Sequence, residues 1–335
     1  MKKRLLTLGI FVFGFLSGFG QKLHTPAEII KIMEESRILY ELEILEEEIL
    51  PEDRTNNLNY NFYYRVIDDS SISTYEYKID SSAYVYVEKA EKYFQDKKFS
   101  LAREMYLAAL KEDSSYYKVM TYIGQTYGIE GDFDKAIEWY NKTINLNYID
   151  YMAHWFLADA YKTQGEIDKA VDEITLAMIL NRNNARIKNS FNTIYKLKKL
   201  NADDWTFNPQ MIIDSVGIDK VKISFNENWL GYAMAKAVWR YEPGYKESMG
   251  IKDGSFSTTE VRECLLGLMV SFDKKKLKKF PEFKALDMAV EKDLVNEFIL
   301  YEIILPEHPF VAYQLSEEFL NSIKDYVKEV RGKQK

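Results

Sequence analysis

Residues 117–150, YKVMTYIGQTYGIEGDFDKAIEWYNKTINLNYID, decide how this chain folds. Small residues at Gly124 and Ala136 are each followed, three or four residues later, by a tyrosine. The turn sequence EGDF separates two stretches of helical length. Because apolar side chains that recur every three to four residues predict amphipathic helices, this stretch predicts two antiparallel helices joined at EGDF.

The same pattern occurs in three windows that start at Ala83, Tyr117 and Tyr151, 34 residues apart. Positions 8 and 20 of each window hold small residues, which let paired helices approach, and position 11 holds a tyrosine that fills the space beside them. One helix pair cannot bury its apolar face alone, so the windows are expected to stack. The residues predicted to pack the repeats together are Ala90, Tyr93, Ala102, Gly124, Tyr127, Ala136, Ala158, Tyr161 and Ala170.

This pattern resembles the tetratricopeptide repeat (TPR) family, whose signature is a 34-residue period with small residues at positions 8, 20 and 27. The resemblance implies a mainly α fold, in which residues 83–200 form a short helical solenoid of three repeats and residues 185–200 form its capping helix. Good capping residue types at position 18 predict where the second helices begin. These predicted N-caps are Ser100, Asp134 and Asp168.

The resemblance also implies a concave groove, lined by the first helix of each repeat, that binds a protein or peptide partner. The groove residues carried over from the family are Tyr84, Val87, Glu91, Phe94, Tyr122, Gln125, Met152, Trp155, Phe156 and Asp159. One TPR subgroup reads a terminal carboxylate with Lys, Arg and Asn, and the matching positions here hold Val87, Glu91, Tyr122, Met152 and Phe156. None is basic, so we expect an apolar and aromatic groove for an apolar or helical segment. The alternative is that these aromatics pack against the protein's own N-terminal helix or C-terminal domain.

The N-terminus reads MKKRLLTLGIFVFGFLSGFGQ, a basic start followed by a short apolar run and small residues before Gln21. This pattern predicts a signal peptide over residues 1–20, cleaved before Gln21. A membrane anchor is the alternative, although the apolar run is shorter than the roughly 20 residues that a span needs. We therefore expect an exported protein of the periplasm or cell envelope, with no transmembrane anchor after cleavage. The cut before Gln, the abundance of Tyr, Asn and Lys and the lack of disulfides fit a Bacteroidetes-like source.

Outside the repeats the pattern is less regular. Residues 21–82 predict a helix that begins in a capping box at Thr25 and Glu28 and runs to Pro51, and then a linker with one weak strand signal. Residues 201–335 predict a separate, mostly helical C-terminal domain of unrecognised fold. Its alternating stretch VGIDKVKISFNENW predicts a strand or hairpin. The helix that follows carries an aromatic stripe that favours core packing over a ligand cage, and further helices are predicted at Pro281–Ile304 and Ser316–Val330.

Charge and residue chemistry exclude some classes of function. The net charge of −7 opposes contact with phosphate backbones, so no nucleic-acid partner is predicted. The basic run at 274–279 is interpreted as a solvated face, or else as a contact for an acidic partner or an anionic membrane. Cys264 is the only cysteine, and it lies in an apolar stretch that predicts a buried thiol. His24, His154 and His308 are isolated, so no metal site, cofactor or catalytic residue is predicted.

The predicted function is an exported scaffold or adaptor that binds a protein partner through the TPR groove. An enzyme or ligand-binding activity within residues 201–335, with the repeats as a targeting arm, is one alternative. Strongly shifted titratable groups that converge in a C-terminal pocket would favour it. A structural subunit of a cell-envelope complex is another alternative. The sequence leaves the oligomeric state open.

Overall fold

The computed structural model describes residues 23–59, 62–68, 71–251, 257–270 and 279–333. The predicted signal peptide lies outside the described residues, as do residues 274–278 of the basic run. Across the described ranges, every helix is too short or too polar to span a bilayer.

Helices dominate the described part of the chain, where five short strands also occur, three before residue 80 and two between residues 211 and 225. In order, the elements are α1 (Pro26–Glu35), β1 (Leu39–Ile44), β2 (Tyr63–Ile67), β3 (Ile72–Glu76), α2 (Ser81–Gln95), α3 (Phe99–Glu112), α4 (Tyr117–Glu130), α5 (Phe133–Leu146), α6 (Tyr151–Thr163), α7 (Ile167–Leu180), α8 (Ala185–Lys198), β4 (Met211–Gly217), β5 (Lys220–Phe225), α9 (Leu230–Tyr241), α10 (Tyr245–Ser248) and α11 (Thr259–Val270). Later helices are Pro281–Glu291, Val295–Phe298, Leu305–Glu307 and Glu317–Glu329, with a π-helical segment at Ile299–Ile304 and a 3₁₀ segment at Pro309–Gln314.

Contacts divide the chain into two compact units, each made of two separate segments. The repeat unit comprises Asp53–Asp203 and Ile303–Lys335, and the sheet unit comprises Met1–Glu52 and Asp204–Glu302. This division differs from the predicted boundaries, which place 201–335 in one domain and 21–82 in another. It differs because β1 joins the sheet of β4 and β5, and because the helix Glu317–Glu329 packs on α7.

In the repeat unit, three helix pairs follow one another as the period predicts. Each first helix packs on its own second helix, α2 on α3, α4 on α5 and α6 on α7, and α8 packs on α7 as the cap. The mainly α repeat fold predicted from the 34-residue spacing is therefore confirmed.

The predicted N-caps of the second helices are wrong by two residues. Ser100, Asp134 and Asp168 lie inside the first turn, because the helices begin at position 17. Of the three actual cap residues, only Asp132 accepts a hydrogen bond there, from the backbone N–H of Lys135. The carboxylates at 134 and 168 instead lie near the positive end of the helix dipole, where negative charge is favourable.

The predicted linker contains an antiparallel hairpin and contacts the repeats. β2 and β3 pair from Tyr63↔Glu76 to Ile67↔Ile72. The hydroxyl of Tyr117 and the side-chain amide of Asn147 both donate to the carbonyl oxygen of Tyr63, at 3.0 and 2.9 Å. We call the described residues between 57 and 77 the strap.

The ends of the strap contact the first and third repeats. The hydroxyl of Tyr77 donates to Asp113, in the turn after α3. At the other end, the Asn59 side-chain amide donates to the carbonyl oxygen of Leu180, at 2.8 Å, and Asn183 donates to the carbonyl oxygen of Asn57. The strap therefore follows the turns between repeats from the third repeat back to the first.

The last helix, Glu317–Glu329, lies within the predicted range Ser316–Val330, and Ser316 caps it, since its hydroxyl accepts from the backbone N–H of Phe319. It packs on α7, where Lys328 pairs with Asp172. Because this additional helix packs on α7, nine of the fourteen residues of α7 are buried, whereas three of the fourteen residues of α5 are buried.

The sheet unit is built on a three-stranded sheet of order β1-β5-β4. β5 lies within the alternating stretch that predicts a strand or hairpin, β4 pairs with it although most of β4 precedes that stretch, and α9 packs on both strands. The inward side chains of Val221, Ile223 and Phe225 are buried against Ala233 and Ala237 of α9. These residues form the core of the unit.

β1 contradicts the predicted helix from Thr25 to Pro51. The capping box at Thr25 is present, but α1 ends at Glu35 and the chain then forms a strand parallel to β5. Alternation in LYELEI sends Leu42 and Ile44 to the inner face, while Glu41 pairs with Lys220 on the outer face at 2.7 Å. Pairing with a distant strand therefore outweighs the helix propensity of the glutamates.

The predicted helix Pro281–Ile304 is interrupted, because Asp293 has a φ of 58° and the first helix ends at Glu291.

The aromatic stripe of Trp229, Tyr232 and Trp239 is 2–3% exposed, in agreement with core packing.

Candidate partner-binding groove

Close approach of the paired helices positions the candidate groove. A Cβ atom built on Gly124 would lie 2.5 Å from Cε1 of Tyr140, so the middle repeat has no room for a side chain there. The predicted alanines at positions 8 and 20 are all buried; they are Ala90, Ala102, Ala136, Ala158 and Ala170. The small residues of the pattern thus lie where helices meet.

The tyrosines at position 11 are half-buried. The guanidinium carbon of Arg103 lies 4.3 Å from the ring centroid of Tyr127, and Lys169 Nζ lies 5.1 Å from that of Tyr161. Tyr93 packs against the core of the first repeat. Cation–π contacts hold two of the three rings in place.

Tyr122 and Phe156, both at position 6, occur in a repeated ring pair. Tyr122 lies 5.7 Å from Tyr106, and Phe156 lies 6.0 Å from Tyr140, with interplanar angles of 43° and 49°. Each pair joins position 24 of one repeat to position 6 of the next. The two predicted groove aromatics therefore also pack neighbouring repeats together.

The other predicted groove residues divide by exposure. Tyr84 is 48% exposed, whereas Val87 is 7% exposed and belongs to the core of the first repeat. Val87 is thus a wrong groove assignment, since its side chain is not available to a partner. The partly accessible residues are Glu91, Phe94, Tyr122, Gln125, Met152, Trp155, Phe156 and Asp159.

Trp155 combines an indole donor with an accessible ring. Its Nε1–H donates to Ser190 Oγ at 2.9 Å, and its ring lies 5.4 Å from Phe156. The hydrogen bond to α8 fixes the orientation of the indole. A ring that is anchored at one edge and half-accessible presents a rigid apolar surface to a partner.

The groove carries two carboxylates, and both have partners. Tyr106 donates to Glu91 Oε1 at 2.5 Å, and burial together with this bond raises the pKa of Tyr106. Lys162 donates to Asp159 Oδ1 at 2.5 Å. The pKa of Tyr122 is raised, mainly by burial and secondly by the nearby negative charge of Glu91, so this phenol stays neutral.

Lys118 lies at position 2 of the second repeat, which the family pattern assigns to the groove, but it is only 4% exposed. Its Nζ lies 3.4 Å from Asp150 Oδ1 and 4.9 Å from the ring centroid of Phe62. Asp150 also caps α6 through the backbone N–H of Met152, at 2.9 Å. This ion pair is part of the packing beneath the strap.

His154, which lies at a packing position of the third repeat, is fully buried between two acceptors. Nδ1 lies 2.6 Å from Glu173 Oε2, and Nε2 lies 2.8 Å from the carbonyl oxygen of Tyr148. Burial lowers the pKa of His154, but the bond to Glu173 and its charge outweigh burial, so the pKa is raised. A doubly donating imidazolium fits both acceptors.

The sheet unit contains a buried polar cluster that the sequence does not predict. Glu263 is fully buried, and its Oε2 accepts from Trp239 Nε1 at 2.6 Å and from the Tyr245 hydroxyl at 2.7 Å. Its Oε1 accepts from the backbone N–H of His24 at 2.6 Å. No spacing signal connects these residues, because His24 and Glu263 lie 239 positions apart.

The remaining chemical candidates are inert or dispersed. Cys264 is fully buried, and burial raises the pKa of its thiol. Within the described ranges, no three His, Cys, Asp or Glu side chains converge as metal ligands would. His308 lies exposed after the short helix that ends at Glu307.

Residues 117–149 match the tetratricopeptide repeat family model, which confirms the TPR prediction. No curated protein matches the chain in sequence. The residues C-terminal to the repeats have no recognised family.

Solved structures are similar to about a third of this chain. The first TPR of Spaghetti (RPAP3) bound to the HSP90 peptide SRMEEVD is 23% identical, with a TM-score of 0.34, and the match covers 36% of this chain and 96% of that one. The Arabidopsis OM64 TPR domain is 16% identical, with a TM-score of 0.34 and coverage of 35% and 96%. The Yersinia enterocolitica type III secretion chaperone SycD, in complex with a peptide of the translocator YopD, is 19% identical, with a TM-score of 0.32 and coverage of 36% and 96%.

Proposed function

We propose that this chain is an exported scaffold that binds a polypeptide segment along the first helices of its TPR block. The tetratricopeptide fold is a protein-interaction fold, and its extended concave surface suits a partner longer than a small molecule. The observation that carries the proposal is the row of half-accessible aromatic and apolar side chains on α2, α4 and α6. Tyr84, Met152 and Trp155 are its most useful members, since they do not belong to the ring pairs between repeats.

The charge of the groove residues indicates which kind of polypeptide segment could bind there. Glu91 and Asp159 are acidic, and the five positions of the carboxylate clamp are free of Lys and Arg. Lys162 compensates the charge of Asp159, but a terminal carboxylate would meet the like charge of Glu91, which is unfavourable in a partly desolvated site. We therefore propose an internal, apolar or helical segment as the ligand, with aromatic anchors supplied by the groove.

A selection from displayed peptides tests the groove directly. The purified chain beginning at Gln21 is used to select binders, and their affinity is then measured by fluorescence anisotropy against two variants. Trp155→Ala removes the groove indole, and Trp139→Ala removes a half-buried indole of α5 that lies under Lys142. If the groove is the site, we expect Trp155→Ala to weaken binding by about tenfold or more, and Trp139→Ala to leave it unchanged.

Thermal melts of both variants accompany the binding data. If Trp155→Ala lowers the melting temperature while peptide affinity stays at the wild-type value, the indole serves internal packing and the groove proposal fails. Equal loss of affinity in both variants would also contradict it, because Trp139 lies on a second helix.

Export has its own test. The full-length chain is expressed in a Gram-negative host, the periplasmic fraction is released by osmotic shock, and the N-terminus of the protein is sequenced. We expect a mature chain that begins at Gln21. An intact N-terminus in the membrane fraction would contradict the signal peptide and leave the groove result unaffected.

A further inference from the structure

β1 is an edge strand of the sheet β1-β5-β4. Its register with β5 is regular over six residue pairs, from Leu39↔Lys220 to Ile44↔Phe225. The described residues place no strand against its other edge. An edge of this kind can accept an additional strand.

The pairing fixes which backbone donors lie on the outer edge. The N–H groups of Leu39 and Leu45 donate to carbonyl oxygens of Asp219 and Phe225, at 2.8 and 2.9 Å. Successive N–H groups of a strand point in opposite directions, so those of Tyr40, Leu42 and Ile44 point away from β5. These three groups form a row of donors for an added strand.

A cavity of about 610 Å³ lies beside this row. It is mostly apolar and is formed by α1, β1 and α9, with Ile30, Met33, Leu42, Leu230 and Met234 among its walls. Leu42 is 51% exposed and Ile30 41% exposed. Exposed apolar side chains beside an open strand edge are characteristic of peptide-binding surfaces.

The opposite edge of the sheet differs in its backbone. β4 has a register shift between Ser215 and Gly217, where it pairs with Val221 and Lys220. Such bulges disrupt the ladder and protect an edge from pairing. β1 lacks this protection over its paired length.

Charge indicates what kind of strand fits. Glu41 and Glu43 lie on the outer face of β1, where they pair with Lys220 and Lys222 of β5, and the exposed glutamates Glu46, Glu47 and Glu48 follow. Side chains directly across a strand pair interact, and opposite charges there are stabilising. A segment that alternates apolar and basic residues would place the first set beside the cavity and the second beside the glutamates.

We infer that the outer edge of β1 binds an extended, basic segment of another protein by strand addition, with its apolar side chains in the cavity between α1 and α9. This site is separate from the TPR groove. A second copy of this chain is a poor occupant, because it would set the same run of glutamates against itself.

Fluorescence anisotropy with a labelled peptide tests the proposal. The probe is acetyl-KVKIKVK-amide, and the controls are the same residues without alternation, KKVIVKK, and the acidic form EVEIEVE. With the purified chain beginning at Gln21, we expect the alternating basic peptide to bind about tenfold or more tightly than either control. Equal affinity of KKVIVKK would overturn strand addition.

Three variants locate the site. Leu42→Asp introduces a charge at the cavity, and Ile212→Asp is the matched control on β4, where the side chain is 45% exposed. Leu42→Pro removes one outer N–H and leaves the ladder with β5 intact, since proline is tolerated at such edge positions. We expect both Leu42 variants to weaken binding by about tenfold and Ile212→Asp to leave it unchanged.

The outcomes separate the proposal from its competitors. Wild-type affinity in Leu42→Pro would mean that the backbone donors are not used, and equal losses in Leu42→Asp and Ile212→Asp would mean that the site is not at β1. A solution dimer that Leu42→Asp dissociates would identify a second copy as the occupant and overturn the proposal. If circular dichroism shows that Leu42→Asp is unfolded, Ile44→Asp replaces it, because that side chain is 54% exposed.

Discussion

Gly124 lies where the two helices of the middle repeat come closest, with the buried ring of Tyr140 above it. We expect Gly124→Ala to lower the free energy of unfolding by about 1–3 kcal/mol, because the added methyl group overpacks the site. Gly128→Ala is the matched control: its Cβ would lie 3.5 Å from the nearest side-chain atom. There, better helix propensity is expected to stabilise the chain by up to about 1 kcal/mol. Urea unfolding measures both, and equal effects would contradict the packing argument.

His154 predicts a pH dependence of stability. Its folded-state pKa is raised above the ordinary 6.5, with Glu173 outweighing burial. The stability it contributes is therefore fully present below about pH 6.5 and lost as the pH rises through the folded pKa. We expect the stability difference between wild type and His154→Gln to shrink as the pH rises above about 6.5, measured by urea unfolding at a series of pH values. A difference that does not change with pH would show that the imidazole is neutral.

At this scale the sequence predicts packing well and polar partners poorly. The small residues of the repeats can be assigned from their period alone. The partners of His154 and the buried Glu263 cannot, because hydrogen bonds between distant residues leave no periodic signal. The wrong assignment of Val87 has a related cause: position 5 of the first repeat has the family spacing of a groove residue but is buried here.

At the scale of elements, the strap shows how a polar, irregular segment becomes ordered. Its amides and carbonyls pair with groups in the turns between repeats, and Asn59 is 6% exposed. Its side-chain amide donates to the carbonyl oxygens of Leu180 and Pro309, at 2.8 and 3.1 Å. The sequence predicts only a weak strand here, because the stabilising partners of Asn59 lie more than one hundred residues away.

The strap can be tested at Asn59. We expect Asn59→Ala to lower the free energy of unfolding by about 1–3 kcal/mol, because two buried carbonyls lose their donor. Limited proteolysis should then cut within residues 53–82 sooner than in wild type. Asn56→Ala is the matched control, since Asn56 is exposed in the same segment. Equal cleavage rates in the two variants would show that Asn59 does not hold the strap.

β1 is the element that the sequence predicts least well. The run from Leu39 to Glu48 has the glutamates of a good helix, and its alternation is only six residues long. What decides for a strand is the parallel partner β5, which the local sequence does not reveal. β5, by contrast, lies within the alternating stretch that predicts a strand or hairpin, and its partner β4 is close to it in sequence.

At the scale of the molecule, each unit combines two segments that are distant in sequence: residues 303–335 pack with the repeats, and the segment before Asp53 packs with residues 204–302. We expect removal of residues 303–335 to destabilise the repeat unit, because the helix Glu317–Glu329 covers α7. Hydrogen exchange should then accelerate in α7 more than in β5. Lys328→Ala is the control, since it removes only a partly exposed ion pair worth about 0–1 kcal/mol. Unchanged protection of α7 after truncation would contradict the assignment of this helix.

The extent of the repeats follows from the period of the sequence, whereas the grouping of the two termini does not. Contacts within and between repeats join residues that are close in sequence, so the same residue types recur at the same positions of each 34-residue window. The pairing of β1 with β5 and the packing of the last helix on α7 are not repeated along the chain, unlike the contacts between helices of the repeats. A long-range arrangement that occurs at only one place in the chain leaves no periodic pattern from which it could be predicted.

The parallel pairing of β1 with β5 has a consequence for the order of events during synthesis. Glu43 and Ser224, which meet across these strands, are 181 residues apart. The repeats between them depend on short-range contacts, which form quickly, whereas closing so long a loop is slow. We expect β1, with Leu42 and Ile44 exposed, to wait unpartnered while most of the chain is made. During that interval it is the segment that a chaperone would need to shield from aggregation.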